Sequence, residues 1–170
     1  LFGMVHMNNL LCEWSESATA WREHSATVRT MFAPVTTALI EAARISASQS
    51  VLDVAGGPGE PSLTIAEVVG PTGTVTYTDA VAEMVAAAQE EGKRRGLSNV
   101  RFQQSVAESL PFPDHSFDAT VCRLGVMLFS DPAAGLREML RVTKPVFRST
   151  FSVMNSAPCT FAGTSWCAHH

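Results

Sequence analysis

Val51-Leu52-Asp53-Val54-Ala55-Gly56-Gly57-Pro58-Gly59 decides the fold. Its first four residues read as a short, mostly apolar strand that runs straight into a glycine-rich turn. Pro61 follows where the first turn of a helix tolerates proline, and the helix is predicted to reach about Val69. Moving outward toward the C-terminus, Gly70-Pro71-Thr72-Gly73 is a turn and Thr74 to Thr78 is a β-branched strand that ends at Asp79. Ala80 to Arg95 is helical with Gly96 as its C-cap, and Val100 to Gln104 is a third strand. Leu110 to Asp114 is a loop, and Phe117 to Cys122 a fourth strand. Asp131 before Pro132 is an N-cap and first-turn proline, opening a helix to about Val142. Strand and helix alternate from 51 to 142, which predicts an α/β fold with a mostly parallel sheet and right-handed crossovers.

Toward the N-terminus, Glu13 to Arg29 is a helix offering Trp14, Ala18, Trp21 and Val28 to one side. Pro34 is expected to break it, and Val35 to Ala47 to form a second helix. Residues 1–48 are therefore read as a helical segment covering the site, 49–145 as the ligand-binding core, and 146–170 as a divergent tail. Pro145 to His170 hold no Asp or Glu and one Arg. Val146 to Val153 could form a fifth strand; no element is read after Asn155.

In an open parallel sheet, ligands sit outside the carboxyl ends of the strands. Gly56, Gly57 and Gly59 let the backbone approach a ligand there. Asp79, twenty residues beyond Gly59, places a carboxylate where it can accept from both hydroxyls of a ribose. A dinucleotide loop of the form G-x-G-x-x-G needs a third glycine, and Ser62 stands in its place. Pro58 and Pro61 remove two N–H groups that a pyrophosphate would use. Asp53 adds a carboxylate beside the loop, which disfavours phosphate and suits a cationic or zwitterionic ligand. These residues favour a phosphate-free nucleoside such as S-adenosylmethionine over NAD.

Charged residues make up 16% of the chain against 46% apolar, which places it among globular proteins. With a net charge of −4 and no basic stripe beyond Lys93-Arg94-Arg95, nucleic acid is not an expected partner. The four cysteines form no C-x-x-C pair, so no metal site is predicted, and Cys122 reads as a buried thiol. No signal peptide and no apolar run of about 18 residues is read, so no membrane span is expected and the simplest location is cytoplasmic.

Residues 51–60 resemble motif I of the class I S-adenosylmethionine-dependent methyltransferases, especially the ubiquinone/menaquinone-biosynthesis type and its small-molecule relatives. Thr76-Tyr77-Thr78-Asp79 with Met84 resembles the second-strand motif. Ala107-Glu108-Ser109-Leu110-Pro111-Phe112-Pro113-Asp114-His115-Ser116-Phe117-Asp118 resembles the family's A-E-x-L-P-F-P-D-x-S-F-D stretch, and Leu136 to Pro145 its late helix. The resemblance covers roughly residues 14 to 145. It implies a Rossmann-like three-layer αβα sandwich and S-adenosyl-L-methionine as cofactor. It implies that Ala55 to Gly59 line the methionine moiety, that Asp53 orders the loop and that Asp79 takes the ribose diol. Ala80 and Met84 would lie near the nucleoside. Ala107 would offer its N–H to the adenine, flanked by Val106 and Glu108. Arg123 and Leu124 would face the transfer site, and Asp118 would be structural.

The chain departs from the family's pattern. Ala55 replaces the first motif I glycine. Val106 stands where the family often has an Asp that reads the adenine amino group. The family continues Lys-Pro-Gly-Gly into a fifth strand, a helix and a hairpin of strands six and seven. Here Lys144-Pro145-Val146-Phe147 lacks the glycine turn, and the family's C-terminal strands are expected to be missing, as after truncation or a changed reading frame. That would leave strand five as an exposed edge open to a homodimer. The expected function is methyl transfer to a small-molecule acceptor. The rivals are a truncated, non-catalytic cofactor-binding or interaction protein, and an NAD-binding oxidoreductase. No catalytic base is assigned. His115 is the one histidine in a loop expected to border the site, and His24 lies in a helix that could cover it.

Overall fold

The computed structural model describes residues 2–152, 159–162 and 165–167. Two helices lead the chain, α1 (Phe2–Glu23) and α2 (Ser25–Ala43). The core follows as β1 (Ser50–Val54), α3 (Ser62–Val69), β2 (Thr74–Asp79), α4 (Ala82–Arg94), β3 (Val100–Gln104) and β4 (Phe117–Arg123). Then come α5 (Pro132–Val142), β5 (Thr143–Ser152), β6 (Cys159–Ala162) and β7 (Ser165–Cys167). The strands form one sheet in the order β3-β2-β1-β4-β5-β6-β7. β1 to β5 pair in parallel, and β6 and β7 are antiparallel additions.

The alternation within β1 explains how the sheet is covered. Leu52 and Val54 pack on one face with Phe117, Met139 and Val142, under α5. Val51 packs on the other with Ile65, Val69 and Val75, under α2 and α3. Side-chain parity puts Asp53 on the Val51 face, toward α3. The strand order reverses between β1 and β4, because β1 is followed by β2 on one side while β4 pairs on the other. The carboxyl ends of β1 and β4 therefore flank the crevice where this architecture binds ligands.

Three sequence expectations change. The break in the N-terminal helices falls at His24, and Pro34 lies inside α2. Val28, Thr36, Leu39 and Ala43 are buried on both sides of Pro34 at helical spacing, so packing outweighs the one hydrogen bond that proline removes. Strand five begins three residues earlier than read, at Thr143 directly after α5. Lacking a glycine turn, the chain enters the sheet at once and takes up the slack as an irregularity. The pairing jumps from Phe117↔Thr143 to Ala119↔Arg148. Val153 and Asn155 lie outside the described residues. Finally, β5 is not an edge: β6 pairs with it antiparallel from Arg148↔Ala162 to Phe151↔Cys159, and β7 pairs with β6. The family's helix and hairpin are replaced by this short ribbon.

Candidate cofactor and transfer site

A cavity of about 210 Å³ opens at the carboxyl ends of β1, β2 and β4, beneath α1 and α2. Its floor is the turn after β1. Gly57 sits at φ +56° with nothing within 4 Å of a notional Cβ, so a side chain there would project into open space from a left-handed backbone. Gly56 is pinned from below, where an added Cβ would lie 2.5 Å from the Tyr77 ring. Tyr77 is fully buried and its hydroxyl donates to the Gly57 carbonyl at 2.5 Å. The Gly57 N–H donates to Asp79 Oδ2 at 2.9 Å, and the Val81 N–H donates to Asp79 Oδ1 at 2.9 Å. Burial raises the Asp79 pKa. Each of its oxygens keeps a further lone pair for a ligand hydroxyl.

Asp53 does not reach the cavity. It is fully buried and caps α3 from outside that helix. The Ser62 N–H and Ser62 hydroxyl both donate to Asp53 Oδ2, at 3.1 and 2.6 Å. Ser62 thus does more than vacate the third-glycine position: it holds the acid. Burial raises the Asp53 pKa to about 7, against the lowering effect of the Ser62 hydroxyl. Asp53 therefore fixes the start of α3 behind the loop, and it has no place on the cavity wall from which to repel a phosphate directly. Gly59 also stays off the cavity wall, turned at φ +118° against Leu63 and Ala88. The other ten expected residues line the cavity: Ala55, Gly56, Gly57, Asp79, Ala80, Met84, Val106, Ala107, Glu108 and Arg123. Leu124 does so too.

Polar side chains at the cavity are already engaged. Glu108 Oε1 accepts from the Ser130 and Asp131 N–H groups at 2.7 and 3.2 Å, so it positions the segment before α5. Glu60, missed in the sequence, pairs with Arg95 at 2.7 Å and accepts from Thr64 Oγ1 at 2.7 Å. The Ala107 N–H has no partner among the described residues. Trp14, Trp21 and Phe32 from α1 and α2 also line the cavity, and the two tryptophans pack on Val81 and Met84. The one-sided spacing of Trp14, Ala18 and Trp21 carried this signal. Gly125 carried none, although a Cβ there would meet the Ala55 Cβ at 2.6 Å and Cys122 Sγ at 2.8 Å.

His115 is not at the site. It precedes β4, so it lies at the amino ends of the strands, opposite the crevice, where its ring faces the Thr143 carbonyl at 3.1 Å. His24 is exposed between α1 and α2 and does not line the cavity. Asp118 is structural: it accepts from the Ser50 N–H at 2.8 Å and pairs with Lys144 at 2.6 Å.

This sheet order, with its glycine turn and buried acid after β2, places the chain among the class I S-adenosylmethionine-dependent methyltransferases. Its sequence matches the ubiE/COQ5 methyltransferase family over residues 26–165, and the chain belongs to that family. An uncharacterized methyltransferase of Bacillus subtilis, YcgJ, is 42% identical over 106 residues, covering 62% of this chain and 41% of that protein. The ubiquinone/menaquinone biosynthesis C-methyltransferase UbiE of Hahella chejuensis is 38% identical over 107 residues, covering 62% and 43%. The chain thus spans about two fifths of the length of these relatives. The YcgJ crystal structure superposes with a TM-score of 0.65 at 38% identity, covering 69% of this chain and 49% of that one. The [4+2]-cyclase SpnF superposes with a TM-score of 0.65 at 32% identity, covering 69% and 43%. No helix among the described residues is long and apolar enough to cross a membrane.

Proposed function

We propose that this chain holds S-adenosyl-L-methionine in the cavity and transfers its methyl group to a small organic acceptor. The observation that carries the reading is the coupled pair of Gly57 and Asp79. One turn presents bare backbone to the ligand, and its own N–H fixes the acid suited to a ribose. The donor set fits a nucleoside without phosphate. Asp79 supplies acceptors, the Ala107 N–H supplies a donor, and Val81, Met84, Leu128 and Phe129 supply an apolar wall.

When bound, the cofactor supplies a methyl group on a sulfonium, an electrophile that needs alignment more than activation. The residues here are arranged for alignment. Asp79 orients the ribose, the Ala55 to Gly57 backbone sets the depth of approach, and Trp14, Trp21 and Phe32 exclude water from above. No histidine lines the cavity among the described residues, and the lining carboxylates of Glu60, Asp79 and Glu108 are each engaged. This favours an acceptor that arrives already nucleophilic. The name of the Hahella relative suggests a carbon of a quinol ring as one such centre.

Calorimetry with S-adenosylmethionine, S-adenosylhomocysteine and NAD tests the reading. Binding of the two sulfur compounds and not NAD is expected; failure of both to bind overturns it. The second reading is a protein that holds the cofactor without using it. It is favoured by one observation: no described residue beyond Ser130 lines the cavity, so the described residues of the C-terminal part build no acceptor wall. Tight S-adenosylhomocysteine binding with no methyl transfer to a panel of phenols, quinols, thiols and amines would select it.

A further inference from the structure

Arg123 is the only basic residue lining the cavity among the described residues. It sits at the end of β4, and burial pulls its pKa down. It forms no ion pair within 4.0 Å among the described residues. Residues 1–11 and 146–170 contain no Asp or Glu, so no further acidic side chain is available there to neutralise it. Asp53 and Glu60 act on it only through space. A half-buried guanidinium facing an apolar cavity without a carboxylate partner is an unfavourable arrangement unless a ligand completes it.

The guanidinium is nevertheless held in place. Its Nη1 donates to Thr36 Oγ1 of α2 at 2.9 Å, and its carbon lies 5.2 Å from the centre of the Phe32 ring. Both contacts are compatible with charge, and neither cancels it. They fix the planar fork in position while leaving other N–H groups for a ligand.

We infer that Arg123 is an anion-recognition residue, preset by Thr36 and Phe32 to take a carboxylate or comparable oxyanion of a bound ligand. Two sources have that chemistry: the amino-acid end of the cofactor and an acidic acceptor. The first source rests on the cofactor reading above; the second does not.

The test compares wild type, Arg123→Gln and Arg123→Lys, with circular dichroism as the folding control. Each is titrated with S-adenosylhomocysteine, with 5′-methylthioadenosine, which lacks the amino-acid group, and with benzoate, followed by tryptophan fluorescence. If the cofactor supplies the anion, Arg123→Gln weakens S-adenosylhomocysteine by about 10- to 100-fold and leaves methylthioadenosine within about threefold. If an acceptor supplies it, both nucleosides bind unchanged and benzoate binding is lost. Arg123→Lys recovers part of either loss, since it keeps charge but not the fork. Should wild type bind benzoate but neither nucleoside, the cofactor reading fails while the anion site stands. Equal loss of all ligands in folded Arg123→Gln, or no change in any of them, would overturn the inference.

Discussion

Ala55 occupies the left-handed region at φ +57°, where a Cβ is strained and glycine is not. It also blocks any side chain at Gly125. Two predictions follow from that contact. Ala55→Gly should raise stability by about 0.5–1 kcal/mol in urea titration, the relief of strain exceeding the added freedom of the unfolded chain. Gly125→Ala should lower it by about 1–3 kcal/mol, and the double variant should recover part of that loss, since only the Cys122 contact remains. Asp79→Asn leaves one of two backbone N–H groups facing an amide NH2, and S-adenosylhomocysteine should bind at least about tenfold more weakly by calorimetry. Asp53 makes stability depend on pH. Its pKa rises from an ordinary 3.8 to about 7 on folding, so the folded state keeps a proton that the unfolded state releases. The contribution is full below pH 4 and falls by at most about 1.4 kcal/mol per pH unit as pH rises to 7. Asp53→Asn should therefore gain on wild type at pH 8, keep only a smaller part of that gain at pH 5 and lose it below pH 4, as read by melting temperature. At this scale the sequence was legible for residues whose chemistry is local. The places of Asp79 and Gly57 on the cavity wall were readable from type and spacing. Tyr77 did not, because a buried aromatic in a strand reads as core until its hydroxyl is seen on the Gly57 carbonyl.

Among the elements, β1 to β4 and α3 to α5 were readable because apolar runs, turns and caps agreed. Asp131 caps α5 by accepting from the Ala134 N–H at 2.9 Å, the role its place before Pro132 announces. Pro34 misled because local propensity was overruled by the buried stripe of α2. Pro34→Ala should restore a hydrogen bond to the Thr30 carbonyl and stabilise the protein by about 1–3 kcal/mol in urea titration. An unchanged midpoint would show that α2 is already bent to accommodate the proline. His115 misled for a topological reason. A loop before a strand and a loop after one lie at opposite ends of a parallel sheet, and only the second faces the crevice.

Across the whole molecule, the ribbon of β6 and β7 was unreadable because short strands at the end of a chain carry little periodicity. What it changes is the sheet edge beyond β4: β5 is covered from Arg148 to Phe151, and among the described residues the edge on that side passes to the three residues of β7. Short edges discourage pairing between copies. Light scattering should accordingly give a monomer, while a chain ending at residue 157 should self-associate with rising concentration. The contacts that shape the cofactor loop have a different reach. Asp53 to Ser62, Gly57 to Asp79, Tyr77 to Gly57, and Thr78 to Asp53 span 9, 22, 20 and 25 residues. Low sequence separation makes such contacts quick to form. During synthesis the cradle is complete in sequence once Asp79 has cleared the ribosome, well before α5 or the tail exists. None of these four bonds draws on the last part of the chain, which can diverge without removing any of them.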